Sequence, residues 1–260
     1  MLLDLAVSVC AFLVGVLVGL TGMGGGSVMT ALLILVFGVH PIVAVGTDLL
    51  YAAVTKMAGT GVHWRNGNVD WRIVGLLALG SAPASLLSLW FLSSAPAHSP
   101  EFARSISIVI GGALLLAAAS LALRFRPRPD VKEPGGEAAS SIGRALPTIG
   151  LGLLLGVLVP LTSVGAGALG MAILCCLYPS LSAVRLVGSD IAHAVPLTLL
   201  AGLGHWLIGN VDWSLFASLI VGSLPGIIVG SQLAHRIPER RLLPMLGIVL
   251  VLIGGRLVMS

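Results

Sequence analysis

The chain has 260 residues, of which 57% are hydrophobic and only 9% charged, with 34 glycines and a formal net charge of +4. A soluble domain carries about 25% charged residues, so this composition leaves too little polar surface for a water-soluble core and excludes one, as does a mean hydropathy of +1.07. The basic residues are scattered through loops, which excludes a nucleic-acid face, and Cys10, Cys175 and Cys176 have no ligand spacing, which excludes a zinc site or a disulfide framework.

Spanning the hydrocarbon takes roughly 20 apolar residues per helix. Residues 2–20, 42–62, 73–92, 105–123, 183–208, 215–234 and 243–259 qualify. The first stretch reads as a span rather than a cleaved leader: Asp4 stands where a basic residue is expected, and no small-residue cleavage site follows. Next comes a glycine-rich break, Thr21-Gly22-Met23-Gly24-Gly25-Gly26-Ser27, and an apolar piece over 27–38. That piece would reach about 18 Å as a helix, too short for a hydrocarbon core of about 30 Å. The break before it is therefore expected at membrane depth, where protein, water or ligand must satisfy its N–H groups.

The span 42–62 carries Gly46-Thr47-Asp48 and Lys56, and leads into His63-Trp64-Arg65-Asn66-Gly67-Asn68-Val69-Asp70-Trp71. Two more spans follow. Residues 124–144 then hold Arg124, Arg126, Arg128, Lys132 and Arg144 among prolines and glycines, with no apolar period, and read as a linker. Beyond it the pattern repeats. His205-Trp206-Leu207-Ile208-Gly209-Asn210-Val211-Asp212-Trp213 matches the first loop at seven of nine positions, at an offset of 142. That offset also aligns Gly46-Thr47-Asp48 with Gly188-Ser189-Asp190, and Gly80-Ser81-Ala82-Pro83 with Gly222-Ser223-Leu224-Pro225. At an offset of 141 the glycine-rich break aligns with Thr162-Ser163-Val164-Gly165-Ala166-Gly167-Ala168. The chain is a duplication: membrane repeat 1 over 1–123, the linker 124–144, and membrane repeat 2 over 145–260.

Each repeat holds five apolar pieces, the first two forming a broken or re-entrant hairpin. The odd number predicts opposite orientations for the two repeats. With the basic linker placed in the cytoplasm, all Lys and Arg but Arg104 and Arg256 fall on its side or, for Lys56, within a span, as the positive-inside rule requires. Both termini are then outside. Trp64, Trp71, Trp90, Trp206 and Trp213 all fall at span ends, as an interfacial belt does. The fold class expected is an all-α, polytopic membrane protein with two inverted-topology repeats.

Inverted repeats with interrupted helices belong to secondary transporters, which hold their solute near the midplane. A helix N-terminus suits an anion through its free N–H groups and about half a positive charge. The two breaks are therefore expected to form one anion cradle from Thr21, Gly24, Gly25, Gly26 and Ser27 with Thr162, Ser163, Gly165 and Gly167. Ala166 and Ala168 depart from the glycine pattern and would make the second half of the cradle tighter. The bland counterpart is that these small residues only let helices pack closely. Asp48, Asp190, Lys56 and His193 are ionisable groups within spans, which call for a partner or a cavity. Asp190 and His193 lie three residues apart on one helix face and read, with Asp48, as proton-coupling groups. Lys56 reads as the substrate's counter-charge, against snorkelling to the near interface. His63 and His205 read as interfacial anchors that close their loops. Asp70 and Asp212, with Asn68 and Asn210, read as turn and N-cap signals. A cation or metal permease using Asp48, Asp190 and His193 is the nearest alternative, with a passive channel and a membrane-embedded enzyme further off. No nucleotide-binding loop is visible.

The glycine-rich break, the Gly-Thr/Ser-Asp motif and the His-Trp-x-x-Gly-Asn-Val-Asp-Trp loop, present in both halves, resemble the TauE/SafE family of sulfite and sulfonate exporters. The resemblance covers nearly the whole chain. It implies a multi-pass permease of the bacterial inner membrane for small sulfur oxyanions or organosulfur anions, and no catalytic activity. The expected partners are a small anion and membrane lipid, with a homodimer left open. No cofactor, metal or nucleic acid is expected.

Overall fold

The computed structural model describes residues 5–21, 26–96, 99–124, 142–233 and 239–259. These form ten helices and, among the described residues, no strand: α1 Leu5–Thr21, α2 Gly26–Leu35, α3 Pro41–Arg65, α4 Trp71–Ser94, α5 Pro100–Arg124, α6 Ile142–Thr162, α7 Leu169–Leu177, α8 Ala183–Ile208, α9 Trp213–Leu233 and α10 Glu239–Met259. Five of them, α4, α5, α6, α8 and α9, are long and apolar enough to cross a membrane by length and composition. The chain is an all-helical, multi-pass membrane protein. Most of the linker lies outside the described residues, but α6 already starts at Ile142, so its last three positions are helical.

The short helices follow from the breaks. The ten residues of α2 and nine of α7 reach about 15 and 14 Å at 1.5 Å per residue. Neither spans the hydrocarbon alone. The start of α2 is one residue earlier than the sequence pattern suggests, because Gly26 joins the helix, and Leu35 ends it before Gly38 turns at a φ of 63°.

The four most extensive helix pairings all join the first five helices to the last five: α1 with α9, α4 with α6, α5 with α10 and α3 with α8. Under the offset of the sequence duplication, the first two pairs exchange and the last two map onto themselves. Each half thus lacks a closed core without the other.

Small residues make the first two pairs close. A Cβ at Gly222, Gly226 or Gly230 would overlap the carbonyl of Ser8, Phe12 or Val16 in turn, one helical turn apart along α1. Across the counterpart pair, a Cβ at Gly80, Gly152 or Gly156 would meet the carbonyl of Ile149, Leu77 or Ser81. In lipid, where apolar burial gains nothing over the tails, such backbone approach is the main source of attraction between helices. Leu79, Leu86, Leu87, Trp90 and Phe91 on α4 and Leu207, Ile228 and Leu252 on later helices stay exposed, as a lipid-facing surface does.

Candidate functional site

The repeated nine-residue loop is built first from its own backbone. Gly67 and Gly209 sit at φ 69° and 88° and end α3 and α8. Behind each, the N–H groups of Asn68 and Asn210 reach back to the carbonyls of His63 and His205, at 2.9 and 2.8 Å. The glycine N–H groups reach Trp64 and Trp206. This is a glycine-terminated helix end satisfying its own orphan carbonyls. Asp70 then caps α4 through the N–H groups of Arg72 and Ile73. Asp212 caps α9 through Ser214 and Leu215, at 2.8 and 3.0 Å. Those hydrogen bonds, led by the Leu215 N–H, hold the Asp212 carboxyl below its ordinary range. The flanking tryptophans meet edge to face in both copies, at 6.3 and 5.9 Å between ring centroids.

Each loop docks on the Gly-Thr/Ser-Asp motif of the other half. The N–H of Asp212 donates to Thr47 Oγ1 at 3.1 Å, and the N–H of Asp70 donates to Ser189 Oγ at 2.8 Å. A Cβ at Gly46 would overlap the Asn210 carbonyl, and one at Gly188 would overlap the Asn68 carbonyl. The glycine therefore permits the approach, and the hydroxyl beside it holds the loop. The start of α3 meets the end of α8, and the start of α8 meets the end of α3, so the two helices run antiparallel with one docked loop at each end.

The third motif residue, Asp48 or Asp190, lies one position further into the bundle. Asp48 is fully buried. Its Oδ2 accepts from Thr30 Oγ1 at 2.6 Å, on α2, and from Ser163 Oγ at 2.7 Å, in the break between α6 and α7. One carboxylate thus ties the short helix of the first half to the break of the second. Ser163 is, among the described residues, the one non-glycine residue at positive φ, 56°. Such backbone is held in place by its surroundings, here by the bond to Asp48. Asp48 Oδ1 is buried without a hydrogen-bond partner. Asp190 lies against α7, where a Cβ on Gly170 would overlap its Oδ1. Lys56 is half-buried on α3, two helical turns beyond Asp48.

His193 and Asp190 share a helix and meet different neighbours. His193 Nε2 pairs with Ser81 Oγ on α4 at 2.8 Å, and its buried Nδ1 has no hydrogen-bond partner. At the repeat-equivalent place, Tyr51 on α3 stands against Ser223 on α9. His205 is more than an interfacial anchor: it is fully buried, and its Nε2 contacts the Pro160 carbonyl at 2.8 Å. That carbonyl lies in the last turn of α6, where no intrahelical partner remains.

The other expected cradle residues divide. Thr162 spends its hydroxyl on the backbone, donating to Leu158 and accepting from Val164 N–H at 3.0 Å. Gly165 and Gly167 turn the break at φ 125° and 112°. Ala168 supplies no side-chain cap to α7. In the first half, Thr21 ends α1 and Gly26 and Ser27 start α2, while Gly24 and Gly25 lie outside the described residues. Among the described residues, no three His, Cys, Asp or Glu stand together as a metal site. Thr30, Thr47, Ser81, Ser189 and Tyr51 are site residues that the sequence reading did not single out. Ser81 and Ser189 have aligned serines or threonines in the other half, a usable signal; Thr30 lies between the aligned blocks and had none.

A family model described as sulfite exporter TauE/SafE matches residues 7–257. The probable membrane transporter protein YjnA of Bacillus subtilis (strain 168) is 34% identical over 98% of this chain and 100% of its own length. The probable membrane transporter protein YdhB of the same organism is 28% identical, over 88% of this chain and 89% of its own. A probable membrane transporter protein of Xylella fastidiosa (strain 9a5c) is 27% identical over 86% and 82%. No solved structure matches the chain. A whole-chain family match, carried by helices that suit a membrane and by polar groups buried between them, makes this chain a membrane transporter protein of the TauE/SafE family.

Proposed function

We propose that the chain is a secondary permease, working as an exporter of a small oxyanion such as sulfite or a sulfonate, with proton coupling and alternating access between two inverted repeats. It sits in the bacterial inner membrane, with residues 124–144 in the cytoplasm and both termini outside. The observation that carries this reading is the Asp48 carboxylate, buried between the halves and bonded to α2 and to the α6–α7 break at once. Any change at Asp48, by a proton or by a solute, acts on both halves together. Three further features support it. The start of α7 has no side-chain cap, and its positive helix end suits an anion. Lys56, half-buried on α3 two turns beyond Asp48, is a cation available as the substrate's counter-charge. The antiparallel pairing of the equivalent helices α3 and α8 fits an inverted repeat.

The test is flux into proteoliposomes of labelled sulfite and a two-carbon sulfonate, with and without a pH gradient, against chloride and divalent-metal controls. Saturable flux of a sulfur anion that responds to the gradient supports the permease. Flux of a metal with silence for every anion replaces it by a cation permease centred on the aspartates.

A further inference from the structure

The two docked loops are equivalent in backbone and close opposite ends of the same helix pair, α3 and α8. Each is held by a hydroxyl next in sequence to a buried aspartate: Thr47 beside Asp48, and Ser189 beside Asp190. Both hydroxyls are buried, and both loops are docked in this structure. We propose that Thr47 and Ser189 are latch residues, each positioning the aspartate beside it and holding one face of the molecule closed. Release of one Asp N–H from its latch opens that face while the other stays shut. The inference rests on the alternating-access part of the function proposed above.

The two latches are not equal. At the Ser189 end, Arg185 reaches Asp70 at 3.3 Å. At the Thr47 end the position equivalent to Arg185 is Val43, and among the described residues no cation pairs with Asp212. The Ser189 latch therefore carries an ion pair that the Thr47 latch lacks.

The experiment uses the full chain with Cys10, Cys175 and Cys176 replaced by alanine and one probe, Ala52→Cys. Ala52 is buried on α3, about one turn beyond Asp48. A membrane-impermeant thiol reagent is applied from either face of oriented vesicles. Thr47→Val should speed labelling from the face of the 209–213 loop roughly threefold to tenfold, the population shift expected from losing one neutral hydrogen bond. Ser189→Ala should do the same from the opposite face only, and Arg185→Ala should act in the direction of Ser189→Ala. Thr47→Ser keeps the hydroxyl and should label as the parent does. If Thr47→Val does not fold, Arg185→Ala and Ser189→Ala still decide the matter. Unchanged rates from both faces, or acceleration from the same face in both latch variants, overturn the proposal. Labelling needs no substrate, so silence of the flux assay for every anion leaves the latches standing, while flux with unchanged labelling removes the latches alone.

Discussion

The two halves of this molecule share a backbone and differ in chemistry. Helix ends, glycine turns, aspartate caps, tryptophan pairs and loop docking recur at an offset of 142. The reactive side chains do not. Lys56 faces Thr198 in the alignment, and Thr198 merely bonds its own helix at Ala194. His193 is matched by Tyr51, and Arg185 by Val43. Geometry has been kept in duplicate because each half completes the other's helix pairs. The chemistry is single: Lys56 and His193 have no matching charged or imidazole group in the other half, and a second lysine within the spans would bury a further charge.

The largest effect should come from breaking the shared geometry. Gly188→Val and Gly46→Val each drive a side chain into an opposing carbonyl, and overpacking of this kind costs about 1–3 kcal/mol or more. Both should cut folded yield in detergent severely, whereas Gly61→Val, whose Cβ meets nothing, should fold as the parent does. Equal yields for all three would mean the loops are not closely docked.

The chemistry is broken next. Asp48→Ala leaves Thr30 and Ser163 without their buried acceptor, a loss of about 1–3 kcal/mol, and should also abolish transport. Asp48→Asn and Asp190→Asn separate structure from coupling: at least one should flatten the pH dependence of flux. Unchanged pH profiles in both would remove the aspartates from coupling.

Smaller effects sharpen the difference between the two ends. Arg185→Ala removes a partly exposed ion pair worth about 0.2–1 kcal/mol, read as a small fall in thermal midpoint. Val43→Arg should add a comparable pair to Asp212 at the other end, and a double-mutant cycle with Asp212→Asn measures it.

The smallest effect is on acid stability. The Asp212 carboxyl, held down by the N–H groups it caps, titrates lower in the folded chain than in the unfolded one. Its contribution is present above the ordinary aspartate range, near pH 4, and is lost as pH falls through its lowered value. Asp212→Asn should therefore lower the thermal midpoint at pH 7 slightly and leave it nearly unchanged at pH 3. A difference that grows toward pH 3 would reverse the assignment.

Composition and the 142-residue repeat settle much of this protein from sequence alone. Apolar runs near 20 residues have lipid as their solvent, and a duplicated pattern must fold twice the same way. The glycines of the nine-residue loop and the caps at Asp70 and Asp212 were legible because turn and cap chemistry is local, acting within a few residues of chain. Contacts between halves were not. That Thr47 holds the N–H of Asp212, that Ser163 reaches Asp48, and that His193 meets Ser81 depend on which helices lie side by side. Periodicity places a residue on a face of its own helix and carries no information about which helix lies opposite. The packing of the first five helices against the last five, helped by the close approach of glycine-bearing backbones, brings these residues more than a hundred positions apart to hydrogen-bonding distance.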